Sequence, residues 1–285
     1  MLTLALLLLL VAVAACLLAY AALIEPRWLR VRRRVLRLSS WPASLNGFTL
    51  LHISDLHLRT RPGLEDRFLR RAATLTADLT VITGDLLSGP RALPRLRHAL
   101  APLAARTVYA VPGNHEHYQY PWGIHRRADF TAKRPMDTAA IMSALESAGV
   151  RVLHNACVRV GHGDASFTLA GVDDMFAHRD DLSAALRDAP SRDALVLLCH
   201  SPDVFADAAV RGIPLVLSGH THGGQVSIPG IGAPFTATRY PLPRACGILQ
   251  RGDTLMHISP GLGTTTVPFR FRVRPELTLL ELRRA

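Results

Sequence analysis

Before Glu25 the chain carries no Lys, Arg, Asp or Glu. That absence argues against an ordinary secretory signal, whose shorter apolar stretch follows basic residues, and leaves export by cleavage as the alternative to an anchor. The same absence excludes a twin-arginine signal, because Arg33-Arg34 come after the apolar run. Cysteine is scarce: Cys16, Cys157, Cys199 and Cys246 form no CxxC pair, which argues against a zinc ribbon, a redox motif or a disulfide framework. Reduced structural thiols are expected. Lysine is nearly missing, with Lys133 alone, so the formal charge of +11 is carried by arginine. Outside one cluster those arginines are scattered, and nucleic acid is not the partner we expect. A membrane surface or an anionic substrate accounts for the charge better. No internal repeat or low-complexity tract follows the leader, and Gly and Pro are dispersed, which excludes collagen-like and disordered classes.

What is present begins with Leu2–Ile24, an uncharged run of mostly Leu, Ala and Val. About 20 such residues span a bilayer as a helix, because every backbone polar group is then satisfied internally. A lipobox-like Val13-Ala14-Ala15-Cys16 sits in mid-run and does not end it. Six arginines fall between Arg27 and Arg37, on the carboxyl side of the run. By the positive-inside rule that side stays cytoplasmic. The expectation is a single-pass anchor at residues 1–24 in the inner (cytoplasmic) membrane and a basic juxtamembrane connector at 25–44. The globular domain, 45–285, then faces the cytoplasm. Trp28 and Trp41 suit either the headgroup zone or packing.

Beyond Leu45 the chain alternates short apolar runs with polar motifs. Phe48–Ile53 precedes Ser54-Asp55-Leu56-His57; Leu79–Thr83 precedes Gly84-Asp85; Thr107–Val111 precedes Gly113-Asn114-His115. Leu195–Cys199 precedes His200, and Pro214–Leu217 precedes Ser218-Gly219-His220. Continuous apolar runs of this length read as strands buried on both faces. Leu64–Leu75, Ala92–Leu103, Thr138–Gly149 and Asp180–Asp188 read as helices between them. The pattern predicts an α/β architecture with covered sheets. The polar motifs then gather at the carboxyl ends of the strands, where open α/β folds bind ligands.

Taken singly, the motifs are weak. Asp55-x-His57 could cap a helix, Gly84-Asp85 could be a tight turn, and His200 could be a bonded core histidine. Gly219-His220-Thr221-His222-Gly223-Gly224 is stronger, since two histidines among three glycines point to close backbone approach. Together, carboxylates, imidazoles and one Asn amide oxygen suit Mn²⁺, Fe, Zn²⁺ or Co²⁺, and no thiolate is among them. An aspartate at the end of a central strand can bridge two such ions.

In their order these motifs resemble the calcineurin-like metallophosphoesterase superfamily, from about Phe48 to the C-terminus. Ile24-Glu25-Pro26, Gly219–Gln225 and Pro268–Glu276 resemble its membrane-associated bacterial branch, which includes phosphodiesterases and a UDP-2,3-diacylglucosamine hydrolase. The resemblance implies an αββα sandwich of two mixed sheets flanked by helices, preceded by the transmembrane helix. It implies two divalent metal ions, with manganese the first choice. Asp55, His57 and His222 would hold one ion, Asn114, His200 and His220 the other, and Asp85 would bridge. His115 would contact substrate phosphate and act as general acid while a metal-activated hydroxide attacks a phosphodiester or pyrophosphate bond.

Membrane proximity adds the expectation of a lipid-linked substrate, such as a nucleotide-activated acylated sugar. No protein partner is predicted. A non-catalytic membrane scaffold and a nuclease are the alternatives. Arg270 and Arg272 are candidates to meet phosphate, although alternation in Phe269–Val273 also suits an exposed strand. Pro121–Asp137 reads as a lid or a solvated excursion, and Asp173-Asp174 as turn caps or supports of the site.

Overall fold

The computed structural model describes residues 2–120, 133–190, 194–239 and 245–285. In chain order its strands are β1 (Arg30–Leu38), β2 (Phe48–Ile53), β3 (Leu79–Thr83), β4 (Val108–Val111), β5 (Tyr118–Gln119), β6 (Arg134–Pro135) and β7 (Val150–Val152). They continue as β8 (Ala156–His162), β9 (Ala165–Gly171), β10 (Leu195–Leu198), β11 (Leu215–Ser218), β12 (Gly247–Arg251), β13 (Thr254–Ile258) and β14 (Glu276–Arg284). The helices are α1 (Leu2–Ala19), α2 (Leu64–Ala73), α3 (Leu96–Leu100), α4 (Asn114–His117), α5 (Thr138–Ser147), α6 (Leu182–Ala185) and α7 (Phe205–Val210).

Two six-stranded sheets carry the fold, in the orders β1-β14-β2-β3-β4-β7 and β12-β13-β11-β10-β9-β8. Each is mixed. In the first, β2, β3, β4 and β7 run parallel while β14 is antiparallel to β2; in the second, β9, β10, β11 and β13 run parallel with antiparallel β8 and β12 outside them. The alternation of side chains along a strand explains the unbroken apolar runs. From β2, Leu50 turns into the layer between the sheets, while Leu51 and Ile53 pack under α2, α3 and α5. From β10, Val196 and Leu198 enter that same central layer, while Leu195 and Leu197 pack beneath α6 and α7. Helices thus cover both outer faces, and the αββα sandwich expected from the sequence is the fold observed. Each fully buried Leu or Val contributes about 1.5–3 kcal/mol, and the central layer contributes most to fixing the two sheets together.

Helix α1 is exposed along its whole length and runs on through Tyr20–Ile24 to Arg27. It is long and apolar enough to cross a membrane.

Residues 25–44 do not form the connector expected from their charge. Arg30–Leu38 is strand β1, paired in parallel with β14 from Arg30↔Glu276 to Leu38↔Arg284. The reason lies in Leu36, Leu38 and Trp41, which are buried in the central layer. Six nearby arginines hid that apolar pattern. The Trp41 indole donates to the Leu45 carbonyl (3.0 Å), so this ring is packing. Trp28 remains half-exposed.

Candidate metal centre

Each parallel strand near the middle of the two sheets ends by delivering a polar side chain to one place. Asp55 and His57 follow β2, Asp85 follows β3, Asn114 opens α4 after β4, His200 follows β10, and His220 and His222 follow β11. All seven are buried. Asp55, His57, Asp85, His220 and His222 also have positive φ, between 47° and 68°. Left-handed backbone at non-glycine residues costs energy and persists where surrounding structure enforces it, commonly at functional sites. Five of the seven candidates share it.

Glycines make the approach possible. A Cβ at Gly113 would fall on the Asp85 carboxylate, and one at Gly219 would fall on Ser54 and Asp55. Neither position accepts a side chain.

Asp85 Oδ2 lies 3.4 Å from His57 Nε2 and 3.2 Å from His200 Nε2. On one side, Asp55 Oδ1 is 3.3 Å from His222 Nε2, which is 3.0 Å from His57 Nε2. On the other, His200 Nε2 is 3.1 Å from His220 Nδ1. Two groups result: Asp55, His57, Asp85 and His222 offer atoms within 4.8 Å of one another, and so do Asp85, His200 and His220. Asp85 belongs to both. Asn114 Oδ1 is buried and has no hydrogen-bond partner, an orphan acceptor of the kind a cation satisfies.

Neighbouring bonds set which ring atoms face inward. His200 Nδ1 bonds the Thr83 carbonyl (2.8 Å), and His220 Nε2 bonds the Ala237 carbonyl (2.9 Å). This leaves His200 Nε2 and His220 Nδ1 for the centre. Burial pushes His57 and His220 down to about 3, and His222 well below its ordinary value, so these rings present neutral lone pairs. Burial alone would raise Asp85, but His200 and His115 hold it well below the usual carboxylate range. Burial would likewise lower His200, yet Asp85 and Asp55 keep it protonated. A divalent cation would displace that proton. Two carboxylates, four imidazoles and an amide oxygen therefore fit a pair of divalent ions.

His115 stands beside this set and outside it. Its Nε2 is 4.0 Å from Asp85 Oδ2, its ring meets His57 edge-on at 4.6 Å, and its Nδ1 has no partner. Arg270 does not reach the centre's solvent side. It is fully buried, with its guanidinium donating to the Gly261, Gly263 and Val273 carbonyls, and burial pushes it down to about 10. The expectation that Arg270 binds phosphate is corrected: it holds the loop that precedes β14. Phe269–Val273 is no exposed strand either, since Arg270 and Val273 are buried and only a single bridge joins Phe271 to Val226. The proposed lid at 121–137 lies outside the described residues up to 132; Lys133 and beyond continue into β6, paired with β5.

Several further residues of the site take roles that the sequence reading left unassigned or open. Glu116 is fully buried and accepts from the backbone N–H groups of Asp85, Leu86, Leu87 and Gly113, tying the β3 and β4 ends together. Burial and nearby Asp85 push it up to about 8. Its place three residues after Gly113, as in a capping box, was the available signal. His117 is held by Asp173 (2.6 Å), and Asp174 accepts from Ala177 N–H, so this acidic pair acts as cap and support. Beside Asn114 and His220 opens a cavity of about 590 Å³ lined also by Tyr120, Phe176, Phe235 and Arg239. No local pattern marks Phe176 or Arg239, which lie far apart in the chain.

Comparisons with known proteins bear on the family of the chain. The calcineurin-like phosphoesterase family profile matches residues 48–224. The metallophosphoesterase YkuE of Bacillus subtilis is 30% identical over 277 residues, covering 93% of this chain and 89% of that protein. A transmembrane protein with a metallophosphoesterase domain from Bos taurus is 33% identical over 268 residues, covering 86% of this chain and 55% of that one. Phosphodiesterase YaeI of Escherichia coli is 28% identical over 274 residues, covering 90% of each.

Proposed function

The chain belongs to the calcineurin-like phosphoesterase family and is a metal-dependent hydrolase; from that premise we propose that it cleaves phosphodiester or pyrophosphate bonds at a two-ion centre bridged by Asp85. The observation that carries this reading is the single Asp85 carboxylate shared by both ligand groups. Asp55, His57 and His222 would hold one ion; Asn114, His200 and His220 would hold the other. Manganese is the first choice, with iron, zinc or cobalt compatible with the same donors. When bound, the ions acidify water and offset charge on the phosphoryl group.

The chain's own residues do the rest. His115 protonates the leaving oxygen. Burial lowers its pKa, with Asp85 opposing, and an arriving phosphate anion would shift it back toward the protonated form. Asp55 is oriented by Ser54 Oγ–H (2.5 Å) and by the His220 N–H. Glu116 fixes the backbone that carries Asp85. The cavity beside Asn114 receives the organic part of the ester, with Phe176 and Phe235 as apolar walls and Arg239 at its edge.

The exposed apolar helix supports membrane association. With the arginines on its carboxyl side, we place the hydrolase at the cytoplasmic face of the inner membrane, acting on a lipid-linked or nucleotide-activated acylated sugar. The test is turnover by the full chain in detergent, with Mn²⁺, on UDP-diacylglucosamine and soluble phosphodiesters, beside His115→Ala and Asp85→Asn. The substrate reading predicts preference for the acylated sugar nucleotide. No preference would remove that substrate, and no turnover of any ester would remove the hydrolase itself.

A further inference from the structure

The apolar helix is tied to the domain at its exit. The Arg270 N–H donates to the Ala21 carbonyl (3.0 Å), and the Arg272 N–H donates to Glu25 Oε2 (2.8 Å). The Arg274 guanidinium donates to the Trp28 and Leu29 carbonyls and lies over the Trp28 ring at 4.1 Å. Residues 270–274 are therefore a strap at the level where the helix leaves the apolar layer.

That strap is also one wall of a cavity of about 1240 Å³, which shares only Thr236 with the one beside Asn114. Its other walls include β1 and β12, the strands at the edges of the two sheets. Seven arginines and two acids line it. Of the acids, Glu276 is engaged by Arg30 and Arg32. Arg34 and Arg272 pair with no carboxylate among the described residues. Val35 and Ile231, 53% and 74% exposed, belong to the same lining. Charge on an edge strand also discourages strand addition. Of the β1 arginines, Arg33 lies outside the cavity and serves that end, whereas Arg30, Arg32, Arg34 and Arg37 line it.

Unpaired guanidinium groups beside exposed apolar side chains, at the root of a membrane helix, fit one occupant. We propose that this groove binds the phosphate headgroup of an anionic phospholipid and so seats the domain against the bilayer. The proposal rests on the membrane reading of α1.

The full chain in mild detergent is titrated with phosphatidylglycerol or phosphatidylcholine, and retained lipid is read by native mass spectrometry. The groove predicts retention of phosphatidylglycerol at about ten-fold lower lipid concentration than phosphatidylcholine. Arg34→Gln/Arg272→Gln should erase that preference, while Arg34→Lys/Arg272→Lys keeps it. Equal retention of the two lipids by the unmodified chain, or a glutamine variant that keeps the preference, would overturn the proposal. Carbonate extraction tests the anchor separately. A chain that washes off yet still prefers phosphatidylglycerol loses the anchor and keeps the groove. A chain that stays in the membrane without lipid preference keeps the anchor and loses the groove.

Discussion

His57 and His222 face each other through their Nε2 atoms at 3.0 Å. Burial keeps both rings neutral, so at most one of these two nitrogens carries a proton. Asp55 Oδ1 completes the cluster at 3.3 Å from His222. Two imidazole nitrogens and a carboxylate oxygen converge as they do around a divalent ion. His222→Ala is therefore expected to cost one of two bound ions and leave the Asp85–His200–His220 side occupied. Metal analysis of the purified chain checks this, and a variant still holding two ions would contradict the assignment.

His115 belongs to neither ligand group, and in the proposed reaction it protonates the leaving oxygen. His115→Ala should keep both metals while kcat falls by about 10²–10⁴-fold. The loss should be smaller for esters of acidic phenols, whose leaving oxygens need no proton. Equal losses on both kinds of ester would show that His115 only shapes the site.

Glu116 accepts four backbone N–H groups from two strand ends. In Glu116→Gln the amide presents donors where acceptors are needed, and each orphaned group costs about 1–3 kcal/mol. Thermal unfolding should shift down by several degrees, with weaker metal retention, because Asp85 is held through the same backbone. An unchanged melting temperature would remove the bracing role.

His257 and His52 lie at the end of a chain of hydrogen bonds leading away from Asp55. His257 Nδ1 bonds His52 Nδ1 (2.9 Å), His52 Nε2 bonds Thr83 Oγ1 (2.8 Å), Thr83 donates to Ser54, and Ser54 donates to Asp55. Burial holds His257 down to about 3 and His52 well below its ordinary value. Unfolded histidine, near 6.5, takes a proton that the folded pair refuses. Their contribution to stability is thus full above about pH 6.5 and is lost as pH falls toward 3. Melting curves between pH 7.5 and 5 should fall less steeply for His257→Gln than for the unmodified chain. Identical slopes would contradict this.

The sequence made the strand-end motifs legible because each lies within a few consecutive residues at the close of an apolar run. Asp55-x-His57 and His220-x-His222 are local, and so are β2, β3, β4, β10 and β11. Strand β1 was hidden because arginines interrupt its apolar positions and its partner, β14, lies at the other end of the chain. Arg270 misled for a related reason: a charged residue in a loop reads as exposed until the carbonyls that surround it are known. Phe176 and Arg239, in contact at 5.0 Å in the wall of the cavity beside His220, meet only through tertiary folding.

The central claim is that one carboxylate serves two ions in a hydrolytic centre. Metal content and phosphodiester turnover, measured together on the full chain and on Asp85→Asn, test it most directly. The account predicts two ions per unmodified chain, with loss of at least one ion in the variant and turnover at least about 10²-fold lower. An Asp85→Asn protein that kept both ions and full activity would contradict it.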